Sequence, residues 1–134
     1  MPVIDELGAR LATNGYGTVS KDILLGSNSI IPTGDGPYTT LIETGGTFPL
    51  RVYAGAGTVS RPSVQVAVRA KSYKICRLKA RDAFNLLDGV SNMTIGGTFY
   101  QSIRAMQEPT DLGVLDGLKR PVIVFNLEIM KDPS

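Results

Sequence analysis

Between Pro62 and Gly89 the apolar residues change their period, and this change limits the fold more than any other feature of the chain. In PSVQVAVRA, Val64, Val66 and Val68 alternate with Ser63, Gln65, Ala67 and Arg69. A period of two sends the valines to one face of a strand and the rest to the other. In YKICRLKARDAFNLLDG, Tyr73, Cys76, Ala80, Ala83, Phe84 and Leu87 recur instead at helical spacing and form one apolar stripe. Gly89 then reads as the residue just past the helix end. A strand with one apolar face and a helix with one apolar stripe each need a partner layer, and each can serve the other.

The remaining elements fit the same plan. PVIDELGARLATN opens the chain as a helix, with Ile4, Leu7, Gly8 and Leu11 in one stripe. Pro2 is tolerated in a first turn, Asp5 and Glu6 suit the positive end of the helix dipole, and Asn14-Gly15 reads as the stop. Gly8 costs up to ~1 kcal/mol against alanine, which points to a close neighbour. Strands are expected at Lys21 to Leu25 and over YTTLIET, where Tyr38, Thr40, Ile42 and Thr44 oppose Thr39, Leu41 and Glu43. Two more lie over TFYQSIRAMQ, with Phe99, Ile103 and Ala105 sharing a face, and over PVIVFNLEIM, with Ile123, Phe125, Leu127 and Ile129 sharing a face. Asn126 and Glu128 then mark the outward face of the last strand. The fourteen residues EPTDLGVLDGLKRP between them are too many for a tight hairpin turn.

The segment GGTFPLRVYAGAGTVSR, Gly45 to Arg61, is long and glycine-rich yet carries Phe48, Leu50, Val52 and Tyr53. A structureless loop of that length is unusual within a compact domain, so it reads as an arm that orders against a partner. The expected order is α-β-β-arm-β-α-β-β. It forms one α+β domain over 1–134, a mainly antiparallel sheet with two helices packed on one face and an arm at about 45–61.

The chain offers little catalytic chemistry. It has no histidine, the commonest general acid/base and metal ligand, and its single cysteine, Cys76, lies on the apolar helix stripe. One cysteine excludes an internal disulfide. Gly34-Asp35-Gly36 and Gly55-Ala56-Gly57 both lead into strands, whereas a dinucleotide or phosphate loop must open a helix. None of the six lysines follows a glycine, as a P-loop requires. Glu108, Asp111 and Asp116 lack the spacing of a calcium loop, and Asp116-Gly117 reads as a turn. No apolar run approaches the ~20 residues of a membrane span, and the first residues lack a signal-peptide pattern. The expectation is a soluble protein that folds in a reducing cytoplasm, uses no cofactor or metal, takes no small-molecule substrate, touches no membrane and catalyses nothing.

Lys74, Arg77 and Arg81 form a basic stripe beside the apolar one. It is either a solvated helix face or a surface that meets acidic groups of another subunit or DNA phosphates. No aromatic residues interleave with it, as a single-strand binder would need. A net charge of +2, from 14 basic and 12 acidic residues, is too even to argue for nucleic acid.

Read in order, IIPTGDGPYTTLIETGGTFPLR, RPSVQVAVRAKSY leading into a helix that ends LLDGV, IGGTFYQSIRAMQEPTDLG and RPVIVFNLEI resemble the tail-terminator, or tail-completion and minor capsid, family of long-tailed bacteriophages. The resemblance runs from about Ile23 to Met130. It implies a structural virion protein, a small α+β subunit of a homohexameric ring at the head–tail junction. Such a ring caps the tail tube, meets the head connector or stopper on its other side, and lets DNA pass through its bore without sequence-specific binding. It would assemble in the host cytoplasm. A closed ring joins two unlike patches of neighbouring subunits. The pattern nominates Phe48, Arg51 and Tyr53 of the arm, with Arg69, Lys74, Arg77 and Arg81 as polar contacts. Competing readings are a head-completion, stopper or other neck adaptor protein, and a nucleic-acid-binding module that uses the basic stripe.

Overall fold

The computed structural model describes residues 3–19, 21–26, 37–45, 50–51, 58–114 and 121–132, with the backbone alone at 50–51, 58–59 and 111–114. Along the chain the elements are α1 (Val3–Thr13), β1 (Ile23–Leu25), β2 (Tyr38–Glu43), β3 (Leu50–Arg51), β4 (Thr58–Val59), β5 (Ser63–Arg69), α2 (Tyr73–Leu87), β6 (Val90–Ile95), β7 (Thr98–Ala105), β8 (Thr110–Val114) and β9 (Pro121–Lys131).

Val64, Val66 and Val68 are fully buried on one face of β5, and Ile123, Phe125, Leu127 and Ile129 line the same face of β9. Their alternation sets the register of the sheet, because a slip of one residue would turn all of them to the opposite face. The seven strands run β1-β2-β5-β9-β7-β6, and β8 pairs with β9. Among the described residues β1 and β2 pair in parallel and the other strand pairs of this sheet are antiparallel. Both helices cover the valine face. Leu7 and Leu11 of α1 and Ala83 and Leu87 of α2 meet Leu41, Val64, Val66, Phe125, Leu127 and Ile129 in one core. A smaller cluster of Val68, Ala70, Cys76, Ala80 and Ile123 lies under the first half of α2. The architecture is therefore the expected α+β arrangement. Gly8 fits its reading too, since an added Cβ would lie 3.0 Å from Leu25 Cδ2.

Four features differ from the sequence reading. First, β6 and β8 are additional strands. Residues 91–94 of β6 are exposed, so they carry no buried alternation to read. The long EPTDLGVLDGLKRP connection contains β8, which resumes the edge of β9 that β7 leaves: Ala105 pairs with Leu127 and Thr110 with Val124. Second, Phe99 does not share a face with Ile103. The pairing on β9 steps from Tyr100↔Lys131 to Ser102↔Met130, so Gln101 is an extra residue in β7. That bulge reverses the alternation. Tyr100 and Ile103 are both buried, while Phe99 is 36 % exposed. Third, Tyr73 leaves the apolar stripe and is 46 % exposed, because α2 starts beyond the end of the sheet. Fourth, the expected first strand is shorter, beginning at Ile23 rather than Lys21.

The arm segment is not wholly irregular. β3 and β4 pair as a separate two-stranded sheet, Leu50↔Val59 and Arg51↔Thr58. Its base is tied to the main sheet at Ser60. The Ser60 N–H donates to Lys131 O at 2.8 Å, and the Lys131 N–H returns the bond at 3.0 Å. The hairpin therefore leaves the sheet where β9 ends. Phe48 and Tyr53 lie outside the described residues.

Candidate functional site

Helix α2 carries the basic stripe. Its N-cap is Ser72, whose hydroxyl accepts the Ile75 N–H at 3.3 Å, and its far end is closed by the Asp88 N–H on Phe84 O and by Gly89 at φ +84. Asp88 Oδ1 also accepts the Ala105 N–H at 2.7 Å, which ties the end of the helix to β7. At the other end the first turn holds no acidic residue. Lys71, Lys74 and Arg77 cluster there, all exposed. Cations at the positive end of a helix dipole each cost about 0.3–1 kcal/mol at low salt. Folding alone does not favour these residues there.

Arg77 and Arg81 line a groove of about 270 Å³ with Tyr73, Glu108, Pro109 and Ile123. The fold brings Glu108 there from the bulged chain between β7 and β8. Its Oε2 lies 3.0 Å from Arg81 Nη2. Both side chains are well exposed, so the pair adds at most about 1 kcal/mol. The Arg81 guanidinium also sits 5.0 Å from the Phe84 ring centroid. Arg77 Nη1 donates to the Tyr73 hydroxyl at 3.1 Å. Along the same helix Ile75 and Leu78 face solvent, at 43 % and 58 % exposure. Lys74, Arg77 and Arg81 thus share one surface, as the sequence spacing predicts. The partnership of Arg81 with Glu108 was hidden in the sequence, because 27 residues separate them.

Arg69 lies elsewhere. It ends β5 on the side opposite Val68, on the face that carries no helix, and its guanidinium sits 5.6 Å from the Tyr38 ring centroid. On that same face Glu128 bridges two arginines, with Oε2 3.2 Å from Arg104 Nη2 and Oε1 3.9 Å from Arg61 Nη2. Arg51 falls in β3, where it pairs with Thr58 of β4.

The described residues hold no group of three His, Cys, Asp or Glu side chains that could bind a metal. Cys76 is buried, its thiol directed at Val68 O at 3.0 Å. Burial raises the pKa of both Tyr16 and Tyr100 above the usual tyrosine range. The bond to Thr39 opposes the shift at Tyr16, and the bond to Glu6 reinforces it at Tyr100. At neutral pH both hydroxyls stay protonated; Tyr100 donates to Glu6, and Tyr16 shares a hydrogen bond with the Thr39 hydroxyl.

The sequence profile described as bacteriophage tail terminator protein matches residues 10–133. The chain belongs to that family. The terminator family is one of structural virion proteins rather than enzymes, so this chain is a structural protein of a phage tail. Comparison with curated proteins yields no match. Among solved structures, a chain from the virion of a native gene transfer agent particle superposes with a TM-score of 0.62 at 9 % identity, covering 97 % of this chain and 92 % of that one. At so low an identity the likeness concerns the fold. It extends over the terminator chain's helices and sheet together.

Proposed function

We propose that this chain terminates a tail tube as a subunit of a six-membered ring at the head–tail junction, with DNA passing through the bore. The observation that carries the reading is the family match over 10–133. The geometry is consistent with it. A ring closes through a heterologous contact, which requires two unlike surfaces on one subunit. The α2 surface, basic with exposed Ile75 and Leu78, is unlike both the helix-free sheet face, with Arg61, Glu128 and Arg104, and the far end of the strands, where Glu43 closes β2. One side of the ring would meet the tube protein and the other the head connector or stopper. The fold likeness to a chain of a gene transfer agent virion is what a virion role leads one to expect.

The interface contacts proposed are Lys74, Arg77 and Arg81 on α2, Arg69 on the open sheet face, and Phe48, Arg51 and Tyr53 in the arm. The position is tested by assembling particles with a tagged copy of the chain and locating the tag by electron microscopy. Label at the junction of head and tail supports the reading. Label along the tail or at its distal tip contradicts it.

A further inference from the structure

Two groups of charges without ion pairs sit at opposite ends of the sheet. β5 runs from Ser63 to Arg69, and Glu43 and Tyr38 of β2 pair with its two ends. α2 starts just past Arg69, so Lys71, Lys74 and Arg77 crowd one end of the strands. Glu43 closes β2 at the other end, about 20 Å away along the strand axis. Asp5 lies at that end too, because α1 brings Ile4 against Gly26, just past β1, and Glu6 against the Gly96 turn. Among the described residues Lys71, Lys74, Asp5 and Glu43 make no ion pair, and Arg77 bonds only to the Tyr73 hydroxyl. The subunit therefore has a basic end with a groove and an opposite end where Asp5 and Glu43 stand without ion pairs beside the Arg61–Glu128–Arg104 cluster.

We infer that the groove end of one copy, centred on Lys74 and Arg77, receives the opposite end of a second copy, carrying Asp5 and Glu43. This rests on the ring reading and names its contact. Several observations favour a second copy. The complementary patch is present on the same chain, and its unlike partner sits at the opposite end, which is the arrangement a head-to-tail contact requires. Glu108 in the groove repels phosphate, and the walls of Tyr73, Pro109 and Ile123 suit protein side chains. Opposite charges across the contact would fix its register and its direction.

The test is charge reversal in the full-length chain. K74E/R77E and D5K/E43K are each mixed with polymerising tube protein, and self-association is followed by sedimentation. Each reversed variant should need at least about tenfold more protein to cap half of the tubes than the unaltered chain. The variant carrying all four changes restores opposite signs across the contact and should recover most of that loss. Normal capping by the two-residue variants, or no recovery in the four-residue variant, overturns the inference while leaving the capping role intact. If the unaltered chain caps nothing yet self-associates with this reversal-and-rescue pattern, the contact stands and the terminator role falls. If it neither caps nor associates, both fall.

Should a reversed variant not melt cooperatively, Y73C/T44C in the natural charge background replaces it. Oxidation should give a ladder of covalent oligomers on capped tubes. Monomer alone contradicts the contact.

Discussion

The Tyr100 hydroxyl donates to Glu6 Oε1 at 2.8 Å, and both side chains are wholly shielded from solvent. Glu6 occupies the first turn of α1, where sequence reasoning assigns it a role on the helix dipole. It instead turns inward and holds α1 against the β6–β7 hairpin. A buried carboxyl group is costly unless hydrogen-bonded, and Tyr100 supplies the bond to Oε1. The bulge at Gln101 is what turns Tyr100 to the helix side.

Replacing Tyr100 with phenylalanine removes that donor and keeps the ring. The expected loss is about 1–3 kcal/mol of stability, because a buried acceptor is left unmatched. Chemical denaturation of both proteins at neutral pH measures it. A change within a few tenths of a kcal/mol would mean that Glu6 is satisfied in another way.

Stability should fall in alkaline solution. The folded-state pKa values of Tyr16 and Tyr100 are raised mainly by burial, above the unfolded value near 10. Above about pH 10 the unfolded chain releases protons that the folded chain retains. The stabilisation is complete below that pH and declines as pH rises, by up to about 1.4 kcal/mol per unit for each group. Denaturation curves at pH 7, 10 and 11 test the sign. Y100F should show the shallower decline, and equal slopes would contradict the assignment.

Gly96 and Gly15 separate backbone strain from crowding. Both have positive φ, +58 and +78. A Cβ on Gly15 meets nothing within 4 Å, whereas one on Gly96 would lie 2.7 Å from Glu6 Oε2. G15A should cost about 1–2 kcal/mol from conformation alone. G96A should cost more, because its Cβ would also press on the Cγ of the fully buried Glu6 at 3.0 Å. Thermal melts of the two variants give the comparison, and equal losses would show that the Glu6 contact is soft.

Replacing residues 47–58 with a short glycine turn should leave the main sheet and its melting temperature nearly unchanged. β3 and β4 pair with each other, and the attachment at Ser60 lies outside the deletion. Tube capping should be lost. Capping at normal protein concentration would remove the arm from the interface.

Much of the fold was legible where burial imposes a period. β5, β9 and α2 could be read from Val64 to Leu87 and from Ile123 to Ile129, because their buried positions follow a period of two in the strands, with Val124 buried as well, and a helical period in α2. What escaped was whatever breaks the period. Gln101 reverses β7 within a strand, β6 exposes its middle residues, and β8 continues an edge after a bulge that looks like loop. The candidate surface was half legible. Helical spacing placed Lys74, Arg77 and Arg81 together, but Glu108 joins them only through tertiary pairing of β7 and β8 with β9. The separation of Glu43 from the basic end likewise follows from strand direction, which no local pattern encodes.

The central claim, that this chain ends a tail tube, is tested most directly by the lengths of tubes grown with and without it. Purified chain is added to polymerising tail-tube protein, and the products are measured by electron microscopy. The account predicts that elongation stops and that stopped tubes carry a six-fold ring at one end. Tubes of unchanged length with bare ends would contradict it.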